Sequence, residues 1–293
     1  MAYPDAMKAA QRLNANMETL ASIGASLALI AQSHEADPKI SNCLDAVLDA
    51  FDADLLDGMS GAEAGVLYAF IRSFFRQALD MIENPGRPAE WSFDDPAILQ
   101  AQGRASLVVM DMIADFVASK PELHARLMEP GTFIDVGSGV GRISINAAER
   151  WPRLRVDGLD IFEPALRLAA ENLAASSVSD RVTLHKADFA DLESENEYCS
   201  AFIAGPFIPL AAVEAGIPAL HRAMEAGGWV FFAIYRASSD RLAQALLNLR
   251  IARSGGHHWT PAEVSEILVQ AGFVDPEEIV SESAAMLIAA RKA

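Results

Sequence analysis

Ten consecutive residues constrain this chain more than any others: Phe133-Ile134-Asp135-Val136-Gly137-Ser138-Gly139-Val140-Gly141-Arg142. A short apolar run meets a glycine at every second position. A helically patterned segment, 142–150, follows. Strand, tight turn and helix in that order bring a ligand close to bare backbone, and the helix N-terminus offers free N–H groups. A dinucleotide loop reads Gly-x-Gly-x-x-Gly. Here the third glycine arrives one residue early, at Gly141, and an acid, Asp135, stands two residues before the first. A carboxylate in that place suits a ligand with a cationic amine and repels a pyrophosphate.

The pattern around the loop extends the constraint. After Pro130-Gly131 the chain alternates strand and helix. The spacing predicts strands at 132–136, 155–160, 182–185, 199–204 and 229–235. Helices are expected at 142–150, 164–175, 211–225 and 240–253. Thr260-Pro261-Ala262-Glu263 combines an N-cap, a proline at the first helical position and a capping glutamate, and so opens a further helix. Residues 273–280 and 285–290 form a closing strand pair. Repeated β-α units imply a parallel sheet covered by helices on both faces, an α/β fold. Before residue 130 the period is helical throughout. Leu13, Met17, Leu20, Gly24 and Leu27 share one face,. Residues 40–57 repeat the pattern, Ser60 and Glu63 make a capping box, and Asp95-Pro96 starts a helix that should reach about Ser119,. The expected division is a helical domain at 1–94, connecting helices at 95–130 and the α/β domain at 131–293.

Composition removes several classes. Asp and Glu number 40 against 23 Lys and Arg, a formal charge of −17. Such a surface repels phosphate backbones, so a nucleic-acid substrate is not expected. The longest charge-free run, Thr19 to His34, is too short for a membrane span,. No basic segment precedes an apolar stretch at the start, so no secretory signal is read there and the cytoplasm is the expected location. Cys43 and Cys199 alone make neither a disulfide framework nor a zinc site,, and no metal is expected.

Residues 131–293 resemble the class I S-adenosylmethionine-dependent methyltransferases. The resemblance rests on the glycine loop, on Gly158-Leu159-Asp160-Ile161-Phe162-Glu163-Pro164, on 181–189 ending in Asp188-Phe189, on the turn Ala226-Gly227-Gly228-Trp229, and on 259–264 with Ala271-Gly272-Phe273. It implies a Rossmann-like seven-stranded sheet and the cofactor S-adenosyl-L-methionine, leaving as S-adenosyl-L-homocysteine. By the same resemblance Gly137, Ser138, Gly139 and Gly141 cradle the methionine end, with Asp135 facing its amino group. Asp160 would accept the ribose hydroxyls, Ile161 and Phe162 would flank the adenine, and Asp188 would accept the adenine amino group beside Phe189. Ala204 would close the cofactor site at the end of the fourth strand.

The acceptor side is less legible. Amine methyltransferases of this family carry a polar residue, two prolines and an aromatic after the fourth strand. This chain has Ala204-Gly205-Pro206-Phe207, with the polar residue missing, which weakens the amine reading and leaves Phe207 as a packing wall. Tyr235 follows the fifth strand, Trp91 lies in a linker of the kind that folds over the cofactor, and Trp259 ends the loop Ser254-Gly255-Gly256-His257-His258. These three and Phe207 are the expected acceptor contacts. His257 or His258 is the expected base, since a histidine removes a hydroxyl proton near neutral pH. The reading is an O-methyltransferase acting on a small molecule, with the N-terminal helices as lid and as homodimer contact. N-, C- or S-methylation, a non-methylating enzyme on the same fold, a nicotinamide-dependent dehydrogenase and a scaffold remain open alternatives.

Overall fold

The computed structural model describes residues 3–293, and the chain divides after Pro85 into two compact units. The first holds three helices. α1 (Tyr3–Gln32), α2 (Pro38–Asp52) and α3 (Gly61–Glu83) begin where local chemistry requires. Asp37 caps α2 through the Lys39 N–H, and Pro38 occupies its first position. Ser60 and Glu63 cap α3 reciprocally, as their spacing predicts. The core of this unit is thin: Ile23, Leu27 and Ala64 are buried, with Leu48, Tyr68 and Ile71 packed around them.

The second unit runs from Gly86 and contains the sheet. It opens with an extended segment, 86–95, then α4 (Pro96–Ala105), α5 (Leu107–Ser119) and α6 (Pro121–Leu127). The sequence predicts one helix from Asp95 to Ser119. The structure breaks it at Ser106, whose hydroxyl donates to the Gly103 carbonyl at 2.7 Å and so takes over a helical acceptor,. The unit boundary also falls before 94, because segment 86–95 and α4 pack with the sheet unit.

The strands are β1 (Gly131–Val136), β2 (Leu154–Asp160), β3 (Val182–Lys186), β4 (Tyr198–Ile203), β5 (Met224–Tyr235), β6 (Phe273–Val280) and β7 (Ala285–Lys292). Between them lie α7 (Arg142–Arg150), α8 (Glu163–Ala174), α9 (Leu210–Ala223), α10 (Arg241–Arg253) and α11 (Pro261–Gln270). Each predicted strand and helix of this half is present, displaced by a few residues at most. The sheet order is β3-β2-β1-β4-β5-β7-β6. The first five strands are parallel, and β7 is antiparallel to both β5 and β6. β1 and β4 run as apolar strands buried on both faces, as central parallel strands must be,. One face is covered by α5 and α7 around Phe133, Trp151 and Phe231. The other is covered by α9 and α11 around Ile203, Ile217 and Leu268. The chain reverses direction across the sheet between β1 and β4, and a doubly wound sheet binds its ligands at the carboxyl ends of those strands.

Candidate cofactor and acceptor site

The carboxyl end of β1 is built around a buried acid. Asp135 is fully buried and accepts a short hydrogen bond from the Ser144 hydroxyl of α7. Its other oxygen, Oδ1, has no partner, and neither does the buried Ser138 hydroxyl. Burial pushes the Asp135 carboxyl up to about 7; the Ser144 bond opposes this, and the charge of Asp160 adds to it. Gly158 of β2 makes room for the pair, since a Cβ there would meet Ser144 Oγ at 2.8 Å and Ser138 Cβ at 3.1 Å. Sequence reasoning missed Ser144. The available signal was a polar residue between Ile143 and Ile145 on a buried helix face.

The loop that follows explains its own glycines. Gly137, Gly139 and Gly141 take φ of +77°, +55° and +75°, where a side chain is strained,. The Gly137 and Ser138 N–H groups both donate to the Leu159 carbonyl, at 2.9 and 3.0 Å, which ties the turn to β2. The Gly141 N–H donates to the Ser138 carbonyl at 2.8 Å and starts α7. Gly139 faces open space. Its N–H donates to Asp160 Oδ2 at 2.7 Å, and the Phe162 N–H donates to Oδ1 at 2.8 Å. Asp160 is therefore held by backbone on both oxygens and keeps lone pairs for two further donors. Burial raises its pKa, while the N–H groups of Phe162, Gly139 and Ile161 lower it. Ala204 lies across from the loop, where a Cβ at Gly137 would meet its methyl at 3.1 Å, and its N–H donates to the Val136 carbonyl at 3.0 Å.

The flanking residues divide. Ile161 is 63% exposed, and Phe162 packs against Leu99, Val140 and Ala165. Asp188 caps the 3-10 turn 189–191, accepting from the Ala190 N–H at 3.0 Å through one oxygen. Phe189 corrects an expectation. It is 3% exposed and packs on Gly216 of α9, so close that a Cβ at 216 would meet its ring at 2.2 Å. It is a core residue beneath the turn, with no face left for an adenine.

Segment 86–95 lies over the carboxyl edge. Trp91 packs on the same apolar cluster as Phe162 and meets Phe207 edge-on, with ring centroids 5.7 Å apart. Phe207 in turn meets Tyr235 at 6.4 Å. The segment is wedged from the other side by Gly255, where a Cβ would meet Glu90 Cα at 2.9 Å. Three of the four expected acceptor contacts, Trp91, Phe207 and Tyr235, thus form one aromatic wall.

The fourth does not belong to it. Trp259 is 4% exposed, stands edge-on to Phe232, and donates its indole N–H to the Gly205 carbonyl at 3.3 Å. It anchors the loop in the core. The two histidines diverge, as adjacent loop residues do. His257 stacks edge-on to Trp259, stands 3.7 Å from Glu263 Oε1, and lines a groove of about 630 Å³ between α9 and α11. That groove lies along the helical layer, away from the glycine loop. His258 Nε2 is 3.1 Å from Gln244 Nε2 of α10.

The comparisons agree with this geometry. Residues 133–228 match a family model described as a methyltransferase domain. Among curated proteins, the chain is 28% identical over 157 residues to the tetracenomycin polyketide synthesis 8-O-methyl transferase of Streptomyces glaucescens, covering 50% of this chain and 45% of that one. It is 35% identical over 65 residues to a tRNA1(Val) (adenine(37)-N6)-methyltransferase of Vibrio campbellii, covering 22% of this chain and 27% of that one. The chain thus spans about a quarter of the latter and under half of the former. Among solved structures it is similar to human N-acetylserotonin methyltransferase in complex with SAM, with a TM-score of 0.68, 14% identity, and coverage of 100% of this chain and 99% of that one. An O-methyltransferase family protein from Burkholderia thailandensis superposes with the same TM-score and identity, covering 100% and 98%. The sheet order and the alternate-glycine loop are consistent with one cofactor-binding architecture, and residues 133–228 carry the match to a methyltransferase domain.

Proposed function

We propose that this protein transfers the methyl group of S-adenosylmethionine to an oxygen of a small-molecule acceptor. The observation that carries the cofactor half is the Asp160 carboxylate, held by backbone on both oxygens beside the open face of Gly139. The two orphaned polar atoms beneath it, Asp135 Oδ1 and Ser138 Oγ, fit a ligand with an amine. When bound, the cofactor supplies an electrophilic methyl on a sulfonium. In this reading Asp160 receives the ribose hydroxyls, Asp135 with Ser144 behind it offsets the amino group's charge, Ile161 and Phe162 flank the adenine, and the second oxygen of Asp188 accepts its amino group. Aligning acceptor and methyl carbon contributes several kcal/mol, on the order of 7–11 in favourable systems. Trp91 and its segment exclude water from the edge, and Phe207 and Tyr235 fix the acceptor plane.

Oxygen is favoured because the loop after β4 offers a packing wall, Pro206-Phe207, and no polar side chain for an amine. Of the two histidines, His258 is the better base, since His257 is engaged by Glu263 in the groove between α9 and α11. The acceptor is a small molecule: a net charge of −17 disfavours tRNA, whatever some relatives modify,. The three-helix unit serves as substrate cover and dimer contact.

Calorimetric titration with S-adenosylhomocysteine tests the core of the reading. Binding in the micromolar range should weaken by about 100-fold or more in Asp160→Ala, the loss of two charge-assisted hydrogen bonds. Equal binding by the variant would remove the cofactor assignment. A screen for acceptors by mass gain of one methyl, run with His258→Ala and His257→Ala, then reads the chemistry. Turnover should fall in the first variant with cofactor affinity unchanged.

A further inference from the structure

On the sheet unit of this acidic chain, two arginines converge on an aromatic ring beside the acceptor wall. Arg253, in the last turn of α10, lies over the Phe93 ring at 5.4 Å, and Arg87 of the covering segment lies over the same ring at 4.1 Å. Phe93 meets Trp91 edge-on at 5.5 Å. Residues 250 and 253 are three apart on α10 and share a face, so Arg250 stands beside Arg253 toward the same wall. Among the described residues no carboxylate lies within ion-pair distance of the Arg250 guanidinium. Its charge acts on the half-buried Tyr235, whose hydroxyl is hydrogen-bonded to the Gln102 side chain of α4. Gln102 comes from the helix that rests on the glycine loop: a Cβ at its neighbour Gly103 would meet Val140 Cγ2 at 2.2 Å. The Gln102–Tyr235 pair therefore spans the carboxyl edge from the loop side to the β5 side.

We propose that the acceptor is a planar molecule bearing an anionic group. Its ring lies against Trp91 and Phe207, its anion pairs with Arg250, and the Tyr235 hydroxyl, oriented by Gln102, donates to it. A cation without a fixed partner beside an aromatic wall is what a carboxylate on a flat ring requires, and a guanidinium grips it with two parallel bonds. In a chain with 40 acidic residues and 23 basic ones, an anion would otherwise be repelled from this surface,. The tyrosine stays protonated, because burial raises its pKa, and so remains a donor at neutral pH. This substrate class rests on the methyltransferase reading above.

The test uses the full chain and paired probes of matched shape that exchange a carboxylate for a neutral amide: 4-hydroxybenzoate against 4-hydroxybenzamide, and 3-hydroxy-2-naphthoate against its amide. Calorimetric titration is done with and without saturating S-adenosylhomocysteine. In each pair that binds, the acid should bind at least about tenfold more tightly than the amide, the worth of one charge-assisted pair. Arg250→Met should bring the two within about twofold while S-adenosylhomocysteine affinity stays unchanged, which also reports that the variant is folded. Equal affinity for acid and amide, a preference that survives in Arg250→Met, or no binding of any probe at millimolar concentration would overturn the proposal. Failure of S-adenosylhomocysteine to bind would instead overturn the cofactor reading, and the titration without it would still report on the arginine.

Discussion

At the scale of single residues, the site depends on one carboxyl whose charge is costly. Asp135 titrates at about 7 because it is buried with a single hydrogen bond. Its ordinary value is 3.8, so between those values the folded protein holds a proton that the unfolded chain has released,. The sign follows: this group's contribution to stability is full below the unfolded value and is lost as pH rises through about 7. Asp135→Asn stays neutral throughout. Thermal unfolding followed from about pH 4 to pH 8 should therefore show the native protein losing stability relative to Asp135→Asn as pH rises. The stabilisation conferred by S-adenosylhomocysteine should grow over the same window in the native protein only, because the ligand's amine favours the ionised acid. Parallel curves for the two proteins would mean that Asp135 does not change protonation on folding. The acid itself was legible in the sequence from its place before Gly137. Ser144 was not, because its hydroxyl becomes an acceptor's partner only when α7 folds back across β1.

Elements carry the next level of argument. α4 begins where Asp95-Pro96 says it should, yet what it does depends on Gly103. Intrinsic helix propensity favours alanine over glycine by about 1 kcal/mol. The tertiary contact opposes it: a Cβ would stand 2.2 Å from Val140 Cγ2 and 3.1 Å from Arg142 Cγ, both attached to the glycine loop or the start of α7. Forced overpacking costs about 1–3 kcal/mol, so the contact should win. Gly103→Ala is expected to lower stability and to weaken S-adenosylhomocysteine binding, since α4 must lift from the loop. Denaturant unfolding with a parallel titration decides the matter, and a more stable variant with unchanged affinity would show that α4 yields easily. Trp259 and Phe189 teach the same lesson from the other side. Both lie within segments that carry the resemblance, yet their side chains point into the core, one toward Gly205 and Phe232, the other toward Gly216. Sequence order places a residue at the end of a strand or turn; which face it takes is set by what packs beneath.

For the whole molecule, the division after Pro85 separates a thin helical unit from one with two large cores. The first leaves Leu13, Met17, Phe51, Leu67, Phe74 and Ile82 exposed. A chain beginning at residue 86 keeps the covering segment, α4 and the whole sheet. It should remain folded and bind S-adenosylhomocysteine within a few-fold of the full chain, yet lose acceptor turnover. Light scattering should find the full chain dimeric and the shortened one monomeric. Retained turnover in the shortened form would remove the first unit from the substrate cover, and a monomeric full chain would remove it as the dimer contact. No helix among the described residues is long and apolar enough to cross a membrane.

The sequence by itself determined the α/β order, the left-handed glycine positions, the acid that precedes them and the acid that ends β2. These are local or nearly so: a turn geometry admits few residue types, and strand period and helix caps are read within a dozen positions. Only the tertiary structure decided what meets across the sheet edge. Gln102 reaches Tyr235 from a helix more than a hundred residues earlier, Trp91 meets Phe207 through an extended segment with no period of its own, and Arg253 lies over Phe93. Such contacts have no sequence signature because they depend on how layers stack, and side-chain packing between layers is settled by shape and volume rather than by spacing along the chain.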